Sequence, residues 1–165
     1  MKEYNNLIKK YLSNSSWRLR DLILYLAGFF DGEGCISNTP HHFKVKEKEY
    51  KYFKPSIQIY NTHKKTMEFI SAILDFYQID HGTYFTEKGR WNPVYTIKIR
   101  NKEGIKNFIV LVRDFLICKK EQSCLMLQFI EKGNLVNNET LELSRKLSSL
   151  NTKDKFWRDK YEIYK

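Results

Sequence analysis

The sequence predicts an α+β domain in the order helix, two strands, helix, two strands, then helices, and three observations carry that prediction. Residues 22–30, LILYLAGFF, hold apolar side chains at helical spacing and run into DGEG, whose glycines stop a helix. Segments 35–62 and 82–101 are rich in aromatic and β-branched residues and alternate in polarity, as hairpins do. The stretch between them, and most of the chain after Asn101, returns to helical spacing.

Taken in order, residues 2–12 have a loose helical period that ends at SNSS, whose side chains compete for backbone hydrogen bonds and so predict a short lead-in helix. A second helix is expected from Trp17, with Ser16 as its N-cap. In segment 35–62 a charged interruption at KEKE marks the turn. Phe53, Pro55, Ile57 and Ile59 then share one face of the second strand, and Tyr52, Lys54, Ser56, Gln58 and Tyr60 the other. The first face is expected to be buried and the second to be a polar, aromatic surface. Residues 64–79 predict a helix through Met67, Ile70, Ile73, Leu74 and Tyr77, ended by DHG. The second hairpin turns between Gly89 and Pro93 and sets Tyr95, Ile97 and Ile99 against Thr96, Lys98 and Arg100. The remainder predicts helices broken near CKK, at Gly133 and near Asn151.

Length and composition bound the function. A chain of 165 residues suits one domain, here 1–165 with a core over about 17–133 and C-terminal helices over about 137–165. No stretch is long and apolar enough to cross a membrane. Lys and Arg number 29 against 19 Asp and Glu, a formal charge of +10, so a polyanion is the first partner to consider. Three cysteines, Cys35, Cys118 and Cys124, lack Cys-x-x-Cys spacing, which argues against a disulfide framework or a zinc cluster and suits a reducing compartment. Cys118 and Cys124 lie at helical spacing and are expected in the core. His41, His42, His63 and His81 have no metal-ligand spacing; the first two are left as groove contacts. The start of the chain is basic but has no secretory apolar region. Heavy use of Lys, Asn, Ile, Tyr and Phe is what AT-rich coding produces. The expected location is therefore intracellular, in an organelle (mitochondrion or chloroplast) or a microbial cytoplasm.

With the element order in hand, YLAGFFDGEG, residues 25–34, resembles the signature of the LAGLIDADG homing endonucleases. The resemblance extends to about Gly133 and implies that family's αββαββα fold, with a saddle-shaped antiparallel sheet. The motif occurs once, which resembles the single-motif, homodimeric branch encoded within introns. Ala27 and Gly28 lack bulk on a helix of otherwise large residues, which suits a helix–helix seam; Leu24, Ala27, Gly28 and Asp31 are assigned to that dimer interface. The resemblance makes Glu33 the metal-binding acid and gives the Gly32 carbonyl to the same cation, Mg²⁺ or Mn²⁺. Asp31 is read as a structural acid at the helix end. Asn61 falls where the family has a water-positioning polar residue, Lys65 is a nearby basic residue, and Lys119 matches the basic residue close to the scissile phosphate. The family often has Asp in place of Glu33 and Gln in place of Asn61; the shorter Asn calls for an extra water. Asn61 is also a candidate cap for the helix that follows.

The implied activity is that of a site-specific, intron-encoded homing endonuclease. A homodimer makes a double-strand break in a long pseudo-palindromic site by divalent-metal-dependent phosphodiester hydrolysis, cutting across the minor groove and leaving 3′ overhangs. Sequence reading falls to the polar faces of the hairpins, where one strand of residues 50–60 spans roughly 35 Å, about one duplex turn. The candidate readers are Ser37, Thr39, His41, Tyr52, Lys54, Ser56, Gln58 and Tyr60 in the first hairpin. Tyr84, Thr86, Lys88, Thr96, Lys98 and Arg100 are their counterparts in the second. The same fold also serves RNA-binding maturases, so the alternative is a splicing cofactor that binds its own intron RNA; a third reading is a DNA-binding regulator on an inactive scaffold. No membrane partner is expected.

Overall fold

A computed structural model describes residues 8–10, 12–13, 16–45, 47–87 and 93–151. Residues 8–10 and 12–13 are helical, in line with the later part of the lead-in helix. Residues 2–7, Lys88, part of the Gly89–Pro93 turn and everything after Asn151 lie outside the described residues.

Helix α1 (Leu19–Glu33) is capped by Arg18 and not, as expected, by Ser16. The Asp21 carboxylate reaches back to accept the Arg18 N–H at 2.7 Å, satisfying an orphan donor and adding negative charge to the first turn, so the helix begins two residues later. It buries Leu22, Leu26, Ala27 and Phe30 and leaves Leu24 and Gly28 exposed. Trp17, Tyr25 and Phe69 pack ring against ring along one flank and join α1 to the next helix.

Strands β1 (Gly34–Val45) and β2 (Lys48–Asn61) form a long hairpin in register from Gly34↔Ile59 to Val45↔Lys48. Helix α2 (Lys64–Phe76) stops earlier than DHG. Ile79 N–H bonds the Leu74 carbonyl at 2.9 Å and Gln78 N–H the Asp75 carbonyl at 3.0 Å, with Gln78 in the left-handed region at φ 57°. This turn ends the helix by folding Ile79 back beside Leu74, and both are buried. Strands β3 (Gly82–Thr86) and β4 (Val94–Ile99) complete one antiparallel sheet in the order β1-β2-β4-β3.

Helix α3 (Lys102–Val112) starts at Asn101, whose side chain accepts the Gly104 N–H at 2.5 Å and donates to Asp80 at 2.6 Å. A 3₁₀ turn at Arg113–Phe115 leads to α4 (Lys120–Lys132) and α5 (Asn138–Asn151). The core lies where the helices meet one face of the sheet. Ile36, Phe53, Ile57, Ile59, Ile97 and Ile99 meet Leu26, Phe30, Ile73, Phe108, Met126 and Phe129 there. The expected inward face of β2 is thus the buried one. Cys118 and Cys124 are exposed, contrary to expectation. Cys118 falls in a turn, outside any helix, and α4 turns Gln122, Ser123, Met126 and Phe129 inward instead of Cys124.

Gly34 is required by close approach. A Cβ there would overlap the Phe30 ring and the Phe30 carbonyl, and Phe30 is itself fixed edge-on against Phe108 at 4.8 Å. Gly34→Ala is expected to destabilise the fold by about 1–3 kcal/mol through overpacking. Urea denaturation checks this; an unchanged midpoint would show that Phe30 can yield.

Candidate active site and nucleic-acid interface

The exit of α1 separates the two acids of DGEG into different roles. The Asp31 carboxylate accepts three backbone N–H groups, from Ile117 at 2.6 Å, Cys118 at 3.2 Å and Lys119 at 3.0 Å. Those donors belong to the turn that leads into α4, where bare N–H groups and the helix dipole favour an anion. Lys119 Nζ in turn donates to the Asp31 carbonyl and sits 5.9 Å from the Phe30 ring centre. Asp31 therefore fastens the 116–119 turn to the end of α1 as a structural acid. Its carboxylate is thus engaged within its own chain, and the side chain remains half-buried on α1.

Glu33, the last residue of α1, is exposed and makes no hydrogen bond or ion pair with another described residue. Gly32 beside it is exposed too, and its carbonyl falls in the last turn, where helical partners run out. Asn61 lies at the end of β2, two residues past Ile59, the partner of Gly34. The strand pairing thus brings Asn61 to the same end of the sheet as Glu33. Its Oδ1 accepts the His63 N–H at 2.8 Å, so Asn61 shapes the entry to α2, and its amide nitrogen has no acceptor among the described residues. Lys65 is exposed in the first turn of α2, and the neighbouring Lys64, not Lys65, pairs with Glu68.

Cys35 is a member of this cluster that sequence reading passed over. Burial pushes its thiol pKa up, and the Lys119 ammonium partly opposes that rise. Burial, and then Cys35, raise Tyr60 in the same way. A raised pKa leaves less thiolate at neutral pH. A thiol reagent is therefore expected to label the exposed Cys118 and Cys124 quickly and Cys35 slowly; mass spectrometry showing Cys35 modified first would contradict this.

Among the described residues, no group of three or more His, Cys, Asp or Glu side chains is arranged to hold a metal. Among the described residues, this helix exit offers the Glu33 carboxylate and the Gly32 carbonyl, which fit a hard cation only as part of a shell completed by other oxygens. On α1, Leu24 is 42% exposed, and a Cβ on Gly28 would have nothing within 4 Å. Ala27 is 1% exposed, inside the protomer's own core, so its place at a dimer seam is corrected. Successive helix positions point about 100° apart, and only Gly28 of the small pair turns outward.

All the candidate reading residues that are described share one face of the sheet. The register pairs Ser37 with Ser56, Thr39 with Lys54 and His41 with Tyr52, then Gln58 with Lys98 and Tyr60 with Thr96 and, through it, Tyr84. Thr86 and Arg100 continue the same alternation in β3 and beyond β4. Lys98 and Arg100 lie 5.4 and 5.2 Å from the Tyr84 ring centre, and Arg100 donates to the Tyr84 hydroxyl at 3.1 Å. Tyr60, Gln58, Ser56 and Ser37 form a hydrogen-bonded line across β2 and β1. Ser56 and Thr96 are buried, at 9% and 6% exposure, so they lie beneath this surface and support the readers instead of projecting from it. Thr39, His41, Lys54, Arg100 and Asn134 border a cleft of about 550 Å³ on the same side.

The comparisons with known proteins agree with this arrangement. The family described as LAGLIDADG endonuclease matches residues 26–130. Among solved structures, the homing endonuclease I-CvuI in complex with the I-CreI target shares 19% identity, with 83% of this chain and 86% of that chain covered and a TM-score of 0.60. The archaeal intron-encoded homing endonuclease I-Vdi141I complexed with DNA shares 19% identity over 80% of this chain and 85% of that one, with a TM-score of 0.60. I-GzeII in complex with its DNA target shares 21% identity over 81% of this chain but only 45% of that longer chain, with a TM-score of 0.52. No curated protein sequence matches the chain.

Proposed function

The chain belongs to the LAGLIDADG endonuclease family and is an endodeoxyribonuclease; from that premise we propose that it acts as a homodimer that makes a double-strand break in a long, pseudo-palindromic DNA site. The observation that carries the proposal is the division of labour at DGEG. Asp31 is consumed inside the chain, whereas Glu33 has no partner among the described residues and stands beside an exposed strip of α1 that has no bulk at Gly28. A second protomer packed on that strip brings a second Glu33 to the first. The match to less than half of I-GzeII supports the same reading, since that chain has room for two copies of the span matched here.

Glu33 and the Gly32 carbonyl of each protomer would hold a divalent cation, Mg²⁺ or Mn²⁺, which supplies Lewis-acid stabilisation of charge on the attacking and leaving oxygens. I-CvuI has been seen with its target DNA in 2 mM Ca, and with the I-CreI target in 2 mM Mg. Asn61 orients water at the end of β2 through its amide group. Lys119, held by the Asp31 carbonyl, presents fixed positive charge to the scissile phosphate, and Lys65 adds a second, mobile charge. The paired sites cut opposite strands across the minor groove and leave 3′ overhangs, while the basic face of each sheet follows the major groove. The RNA-binding splicing alternative draws no separate support from the comparisons. A duplex joining the two sequences that flank the coding intron should be cut on both strands by the purified chain in Mg²⁺, and spared in EDTA. No cleavage in either Mg²⁺ or Mn²⁺, with selective binding of the intron RNA instead, would overturn the proposal.

A further inference from the structure

The connection between α4 and α5 lies along the edge of β2 that β4 leaves uncovered. The Phe53 N–H donates to the Asn134 carbonyl at 2.8 Å and the Val136 N–H to the Lys51 carbonyl at 3.4 Å, which pairs Tyr52 with Leu135 antiparallel. These bonds flank the pair instead of joining it, the arrangement in which opposed side chains come closest, and paired residues share a face. Leu135 therefore stands on the same face as Tyr52 and Lys54, whereas Val136 turns to the helical side and lines a cleft with Phe53 and Leu141. Across Tyr52, Phe43 packs edge-on with ring centres 5.4 Å apart. Leu135 is 70% exposed and Phe43 45%.

A single exposed leucine has no special meaning, but an apolar patch set into a basic, polar face has one. This patch is continuous with the candidate DNA-reading surface, and Lys54 holds its ammonium 5.5 Å from the Tyr52 ring centre at its border. It lies seven residues along β2 from Ile59, the partner of Gly34. That is about 23 Å at strand spacing, or about seven base-pair steps from the catalytic end. In the major groove the thymine C5-methyl is the apolar group that a base edge presents.

We propose that Leu135 and Phe43, on either side of Tyr52, form a methyl-reading patch that selects thymine in the outer part of each half-site. The proposal rests on the DNA reading above. Wild-type protein selected against randomised duplexes is expected to enrich thymine about seven base pairs outboard of the cut in both half-sites. Replacing that thymine with deoxyuridine removes only the methyl group and should weaken binding about fourfold per substitution. Leu135→Ala should abolish the difference between thymine and deoxyuridine without changing the melting temperature, and Leu135→Met should keep it. Absence of outboard thymine, equal wild-type affinity for the two bases, or discrimination that survives Leu135→Ala combined with Phe43→Ala would overturn the proposal. A chain that binds no duplex at all would overturn the proposed function as well, whereas one that binds and cuts without methyl dependence overturns this inference alone.

Discussion

Replacing Glu33 with Gln is expected to lower DNA cleavage by about 10³-fold or more while leaving DNA binding intact. The change is nearly isosteric and touches an exposed side chain that has no partner among the described residues, so folding has no reason to suffer. What is lost is the Glu33 carboxylate at the helix exit, and with it the charge that would hold a divalent cation against phosphate. Affinity for DNA is expected to stay level or rise, because one negative charge per protomer no longer opposes the backbone. Parallel gel-shift and cleavage assays separate these effects. Asp31→Ala should behave differently: it strips the acceptor from three N–H groups, loosens the turn that holds Lys119, and lowers the melting temperature together with activity.

Gly28→Leu is expected to convert the dimer to a folded monomer that cannot cut both strands. Among the described residues, nothing beyond the helix's own backbone lies within 4 Å of a Cβ at Gly28, so the larger side chain is free to point outward, and helix propensity favours leucine over glycine by up to about 1 kcal/mol. Circular dichroism should therefore show an intact fold. At a helix crossing the same side chain has no room, because close backbone approach depends on the missing bulk. Sedimentation of wild type and variant at micromolar concentration checks the prediction. An unchanged dimer would move the interface off α1, and a monomeric wild type bound to no DNA would remove the need for one.

Much of this arrangement is legible in the sequence where a local period carries the information. Alternation along 52–60 assigns Ile57 and Ile59 to the core and Gln58 and Tyr60 to the polar face, because strand side chains have only two directions. By the same alternation Phe43 is legible on the reading face, though composition drew attention to its polar neighbours. What depends on chain segments far apart is not legible. Ser56 and Thr96 share the polar face but are buried in the folded sheet, and Leu135 reaches that face only through its pairing with Tyr52. Ala27 and Gly28 look equivalent as small residues, yet the helix rotates one into the core and the other out. The family resemblance assigns Asp31 and Glu33 different roles; only the folded chain reveals that the turn before α4 is what Asp31 holds.

Mixed dimers test most directly the proposal that two copies of this chain build one paired active site. Wild-type and Glu33→Gln chains carrying different tags, co-purified as the heterodimer, are compared with wild type on the duplex that joins the intron-flanking sequences. The heterodimer is expected to bind this duplex like wild type but to lose double-strand cleavage by about 10²-fold or more, releasing at most a nicked product. Double-strand cleavage by the heterodimer at the wild-type rate would contradict it.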